Sequence, residues 1–187
     1  IDNTHSNVLA IELKELSNDL RGDGWVVDRY DVNPTISVDS IKALIYTSYI
    51  QNPSDTRAVF LFGHIPVPYS GQIYPDGHPD HEGAWPADAY YGDMDSILTD
   101  SFINVTTATD SRNHNIPGDG KFDLSIFSDL ELQVGRVDLS NLPSFPQSEQ
   151  ELLRSYLNKN HAFRHKYFEA SQQAVIDDNF STYPEAF

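Results

Sequence analysis

Three stretches of this chain hold side chains whose types and spacing can do chemistry. The first is PDGHPDHEG, residues 75–83, where His78 and His81 stand at H-x-x-H spacing among Asp76, Asp80 and Glu82. Two imidazoles so placed can chelate a metal, but zinc enzymes favour the i, i+4 spacing of one helix face. Pro75, Gly77 and Pro79 break any helix here. The segment therefore reads as a loop whose histidines bond to nearby carboxylates, and zinc is not expected as a cofactor of this chain. His64 lies just upstream, directly after an apolar run that ends in Gly63. Ligands in α/β folds gather where parallel strands end, so position marks His64 for function more than histidine count does.

The second stretch is DSRNHNIPGDGKFD, residues 110–123. Asp110, Asn113, Asn115, Asp119 and Asp123 place oxygen ligands around an Asp-Gly turn, the chemistry of a calcium loop. Ile116-Pro117 interrupts the spacing and no glutamate sits at the twelfth position, so a plain tight turn stays open beside calcium. The third is ADAYYGDMD, residues 87–95, with Asp100 beyond. Asp88, Asp93, Asp95 and Asp100 can serve acid–base chemistry or a cation, although carboxylates are common in so acidic a chain. No G-x-S-x-G elbow anchors a serine triad.

These side chains need elements to hold them. Leu9, Leu13, Leu16 and Leu20 repeat at +4, +3, +4 and predict a helix over 4–21, stopped at Arg21-Gly22-Asp23-Gly24. Trp25 to Val32 reads as a strand ended by Pro34. A helix over 38–50 buries Ile41, Leu44, Ile45 and Ser48, and Asn52–Asp55 is a turn. RAVFLFG, residues 57–63, is the continuous apolar run of a strand buried on both faces of a parallel sheet. Residues 64–101 form a long Pro-, Gly-, His- and Tyr-rich loop or insertion, with a short strand candidate at Ala87–Tyr91. FINVTTAT, 102–109, is a candidate β-strand that pairs locally. LELQVGRVD, 130–138, is another strand. Ser148–Glu151 is a capping box that starts a helix running to about 166, and AVIDDNF, 174–180, is a closing strand leaving through Asp177 and Asp178.

Composition sets the outer limits. The 187 residues suit one buried core and a single α/β domain or subdomain over 1–187. With 12 Lys plus Arg against 28 Asp plus Glu, the net charge of −16 argues against nucleic acid and anionic membranes as partners. No apolar run approaches the roughly 18–20 residues of a membrane span. The chain has no cysteine, so it holds neither a disulfide nor a thiolate nucleophile. Ile1 is not expected to be the translation start. A strand is expected upstream of the first helix, and the chain reads as a piece of a longer polypeptide.

Taken in order, VFLFGH, PADAYYGD, an acidic turn, LQVGRVDLSN, a capped amphipathic helix and AVIDD resemble the first subdomain of the gingipain-like cysteine peptidases of the caspase-fold group. The resemblance covers about residues 38–180. It implies a three-layer, mostly parallel α/β sheet with helices on both faces, carrying a long loop and a small hairpin insertion. It implies a secreted or cell-surface protein acting on protein or peptide substrates, with its catalytic histidine and cysteine elsewhere in the polypeptide and none in this chain. It also implies structural calcium, and an active-site face near His64, Asp177 and Asp178. His78, His81, Asp88 and Asp93 join that list as ligand candidates from their loops. His64 stands where the family commonly has an acid, and the 66–86 stretch is longer than in those peptidases. The rival expectation is a non-catalytic surface or assembly protein on the same scaffold, with acidic loops that hold calcium or a protein partner.

Overall fold

A computed structural model describes residues 1–71, 84–103, 109–123, 129–169, 171 and 173. Within them the chain is a mixed α/β protein. Strand β1 (Ala58–Phe62) and strand β5 (Gln133–Val137) pair in parallel, Ala58 opposite Gln133 and Phe62 opposite Val137. On the other side of β1, the Asp2 amide donates to the Phe62 carbonyl at 2.8 Å. Asp2 also forms a parallel bridge with Val32. Reading across, the backbone order is Tyr30–Val32, Ile1–Asp2, β1, β5.

Three helices cover this sheet. Helix α2 (Val38–Gln51) begins where Ser37, in extended conformation, accepts the Ser40 amide. Helix α3 (Glu149–Arg164) begins at the predicted capping box, with Ser148 and Glu151 each accepting the other's backbone amide. Helix α1 (Ala10–Gly22) has no side-chain cap. It starts later than its leucine repeat predicts, because Asp2 and Thr4 spend residues 3–9 on turns.

Successive residues of a strand face opposite ways, and β1 uses this at its carboxyl end. Phe62 packs with Leu9 and Leu13 of α1 and Leu153 and Leu157 of α3. Leu61 packs with Ile41 of α2, Ile65 and Tyr91. The apolar run was expected to be buried along its whole length. Only Leu61 and Phe62 are; Ala58 and Phe60 are exposed.

Two further expectations are corrected. Trp25–Val32 is not a strand: its partner backbone, Ile1–Asn3, reaches only Tyr30 and Val32, and Val26 stands 93% exposed. Ala87–Tyr91 is not one either. Trp85–Pro86 (β3) is extended, while Asp88–Tyr91 coils into a single 3-10 turn. β3 belongs to a small sheet, ordered β3–β2–β4, with Tyr69–Ser70 (β2) and Lys121–Phe122 (β4). Phe102 and Ile103 carry no strand, and residues 104–108 and 174–180 lie outside the described residues. Among the described residues no helix is long and apolar enough to cross a membrane.

Candidate functional site

Among the described residues, His64 enters a polar site where β1 and β5 end. Gly63 leaves β1 with φ +82°, a conformation that glycine adopts without cost, and turns His64 away from the sheet. The His64 amide donates to Asp2 Oδ2 at 3.2 Å. Asp2, 2% exposed, also takes the Thr4 amide and hydroxyl on Oδ1 at 2.9 and 2.7 Å. His5 Nε2 lies 3.8 Å from Asp2 Oδ2 and 3.4 Å from Glu149 Oε1.

β5 ends one residue before Asp138, and the parallel register delivers Asp138 to His64. Asp138 Oδ2 and His64 Nδ1 are 2.9 Å apart, and Ser140 Oγ lies 3.2 Å from the same nitrogen. The Ser140 amide donates to Asp138 Oδ1 at 2.9 Å. Burial pushes the Asp138 carboxyl up, but hydrogen bonds from Ser140 and His64 outweigh it and hold the carboxyl below its ordinary value of 3.8. In the tautomer with its proton on Nδ1, toward Asp138, the ring presents Nε2 on a side chain 56% exposed. That is the geometry of an oriented base. It is not a serine triad, because the hydroxyl must meet the nitrogen opposite the carboxylate, and Ser140 meets the same one.

The next layer is an arginine clamp. Arg136 donates to both Asp88 oxygens, at 2.7 and 2.8 Å, and to the carbonyls of Ile65 and Pro66. Tyr91 adds its hydroxyl to the Pro66 carbonyl at 2.7 Å, and burial raises its pKa. The 65–66 segment after His64, the 3-10 turn and β5 are thus bonded together through one guanidinium.

Beyond the turn lies an acidic recess. Asp93 is fully buried, Asp95 is exposed and Glu131 is half-buried, and one carboxylate oxygen from each falls within 4.8 Å of the others. Asp93 Oδ1 takes the Ser96 amide at 2.8 Å, and Glu131 Oε2 takes the Met94 amide at 2.6 Å. Asp93 Oδ2 is buried with no hydrogen-bond partner among the described residues. Lys42 reaches the rim but donates to the Tyr90 and Asp93 carbonyls rather than to the carboxylates. Burial lowers its pKa, and Asp93 and Glu131 work against that shift.

The 110–123 turn is organised differently. Asp123 accepts from the Thr99 hydroxyl, the Ser101 amide, the Phe102 amide and Asn115 Nδ2. Burial pushes its carboxyl up, and these donors overcome that and hold it below 3.8. Asp119 accepts from the Ile116 and Lys121 amides and from Lys121 Nζ. Asp119 and Asp123 therefore spend their oxygens on holding the turn. Asn115 Oδ1 is buried without a hydrogen-bond partner among the described residues. No cluster of three carboxylate or imidazole groups forms around Asp110, Asp119 and Asp123 among the described residues.

The structure therefore brings His64 into a site and joins Asp88 to Arg136 beside it. It sets Asp93 in a separate recess. His78, His81, Asp177 and Asp178 lie outside the described residues. Sequence reasoning missed Asp138 and Ser140, which reach His64 only through the β1–β5 register, and Glu131. It also missed His161 and His165, whose i, i+4 spacing on a predicted helix was a legible signal. Asp19 of α1 meets both, at 2.8 Å from His161 Nδ1 and 2.9 Å from His165 Nε2. No family model matches the chain, and comparisons with curated proteins and with solved structures give no match.

Proposed function

We propose that this chain is the leading subdomain of a gingipain-like cysteine peptidase, secreted or at the cell surface, and that it contributes a wall of the active site rather than a catalytic residue. The observation that carries this reading is the Arg136–Asp88 clamp. It joins the VGR strand end to the ADAYY turn, two segments of the ordered set that carries the resemblance. On this reading the sheet is the middle of three layers, with α1 and α3 on one face and α2 on the other. The thiolate that attacks the scissile carbonyl, and the histidine that serves it, come from strands of the rest of the polypeptide. Among the described residues β5 pairs only with β1, so its outer edge is where those strands would add. His64 and Asp138 then flank the substrate.

The test uses the whole polypeptide. It is expected to show a His-Gly strand end and then a Cys strand end downstream. It should also hydrolyse a denatured protein substrate, with activity lost on alkylation by iodoacetamide. A whole polypeptide lacking a cysteine strand end, or hydrolysing normally after alkylation, rejects the proposal.

A second reading is favoured by the acidic recess: a non-catalytic surface or assembly protein that uses calcium to hold its loops. Three carboxylates with an unpartnered buried oxygen suit a hard, oxygen-seeking cation. Asp93, Asp95 and Glu131 would hold the calcium and supply a bound positive charge that ties the 3-10 turn to the approach of β5. A cation that binds only the folded chain stabilises it by about 2.7 kcal/mol at a hundred times its Kd. For a domain of this size, that raises Tm by roughly 5–10 °C in millimolar calcium over EDTA. Asp93→Asn should remove most of the rise. Superimposable melts in calcium and EDTA would exclude a calcium role. Calcium stabilisation in a whole polypeptide with no peptidase activity would favour this second reading over the first.

A further inference from the structure

We propose that Asp19, His161 and His165 form a binding site for a divalent transition metal of the zinc class, built across the α1–α3 interface. His161 lies in the last turn of α3 and His165 is the residue that caps it, four positions on, which brings both imidazoles to the same side of the helix end. Their ring centroids are 4.3 Å apart. Asp19 comes from α1 and is 6% exposed at its side chain, with His161 at 29% and His165 at 44%. The carboxylate is therefore sunk between the helices, and the imidazoles rise from it toward solvent.

The chemistry of the partners separates a metal site from a simple helix tether. The same interface has ordinary tethers: Arg154 donates to Glu12 at 2.7 Å, and Arg164 pairs with Asp23. Those acids meet a guanidinium, which is always charged and cannot ligate a metal. Asp19 meets two imidazoles and no lysine or arginine among the described residues. Two neutral histidines and a carboxylate are a donor set for zinc and for non-haem iron, with positions left over for water.

The geometry is close to what a metal needs. Asp19 Oδ2 lies 2.8 Å from His161 Nδ1, and Oδ1 lies 2.9 Å from His165 Nε2. The three groups offer ligand atoms within 4.8 Å of one another. Around a tetrahedral ion with bonds of about 2.0–2.1 Å, ligand atoms stand roughly 3.3–3.4 Å apart. The carboxylate need retreat by only about half an ångström, within the reach of small side-chain rotations. Tyr167 stacks on the His165 ring at 5.5 Å and meets His161 edge-on at 6.0 Å, which limits the swing of both imidazoles.

Zinc titration by calorimetry, on chain stripped with EDTA and dialysed, tests the site. One Zn²⁺ per chain is expected, and His161→Gln, His165→Gln and Asp19→Asn should each weaken binding at least about tenfold. Co²⁺ should give the visible spectrum of a nitrogen- and oxygen-ligated ion, lost in the same variants. His165→Gln, at the more exposed helix end, keeps an amide donor toward Asp19 and serves if the other variants unfold. The proposal is overturned if the chain takes up no Zn²⁺. It is also overturned if His165→Gln binds as tightly as the parent, since the ion would then sit on other histidines. Variants that lower Tm while leaving Zn²⁺ affinity untouched would reduce the cluster to a tether and overturn it equally.

Discussion

Arg136→Ala is expected to cost about 3 kcal/mol of folding stability, the low end of the range for removing one partner of a buried ion pair because this pair is only partly buried. The Arg136 side chain is 16% exposed and Asp88 29%. Four acceptors depend on it: two Asp88 oxygens and the carbonyls of Ile65 and Pro66. Alanine leaves Asp88 charged and half-buried with its partner gone. It also strands two carbonyls, each carrying the desolvation penalty of an unmade hydrogen bond. In a domain of this size the loss corresponds to a Tm fall of roughly 10 °C. Lysine should not rescue it, because one ammonium cannot reproduce a bidentate fork and two further bonds. Urea denaturation of the alanine and lysine variants checks this; an alanine variant within about 1 kcal/mol of the parent contradicts the clamp.

Gly63→Ala should be as damaging, at about 3 kcal/mol, from two sources that a control separates. The first is backbone: φ at Gly63 is +82°, and holding a residue with a Cβ there costs about 1–2 kcal/mol. The second is contact. The new Cβ would fall 2.5 Å from Asp2 Cβ and 3.3 Å from His5 Cδ2. Asp2 cannot simply step back, because its amide is bonded to the Phe62 carbonyl at 2.8 Å and its carboxylate to Thr4 and His64. Overpacking of this kind adds about 1–3 kcal/mol. Gly118 has φ +84° with nothing within 4 Å of its would-be Cβ. Gly118→Ala should therefore show the backbone cost alone. Equal losses at the two glycines, read from urea midpoints at constant slope, would remove the steric half of the argument.

How far the sequence could be read depended on whether a feature was local. α2 declares itself through apolar spacing, and α3 through apolar spacing and the capping box at Ser148. β1 and β5 are legible as apolar runs that end in GH and GRVD. The Trp25–Val32 reading failed because composition gives only a propensity. A strand exists where backbone partners lie alongside, and here they reach only Tyr30 and Val32. Ala87–Tyr91 failed on length: aromatic residues read as a strand, while Asp88 is held to Arg136, 48 residues away. His64 was found because a glycine and a strand end mark it. Asp138 and Ser140 stand 74 and 76 residues from it and become its neighbours only once two strands are in register. Glu131 was hidden for the same reason. His161 and His165 are different, since their i, i+4 spacing is local, on a helix whose capping box and apolar face alone carry its sequence reading.

The pairing of α1 with α3 has a consequence for how the chain is made. Leu9 and Leu13 find their cover on Leu153 and Leu157, and the ion pair between Glu12 and Arg154 spans 142 residues. At synthesis rates of about 5–20 residues per second, the apolar side of the first helix waits roughly 7–30 s for its mate to leave the ribosome. Closing so long a loop comes before any reward from the contact, which makes this half of the core a late event in folding. During that interval the nascent chain offers a short apolar stripe to whatever binds such stripes. Its strongly acidic character, at a net charge of −16, keeps neighbouring nascent copies apart meanwhile.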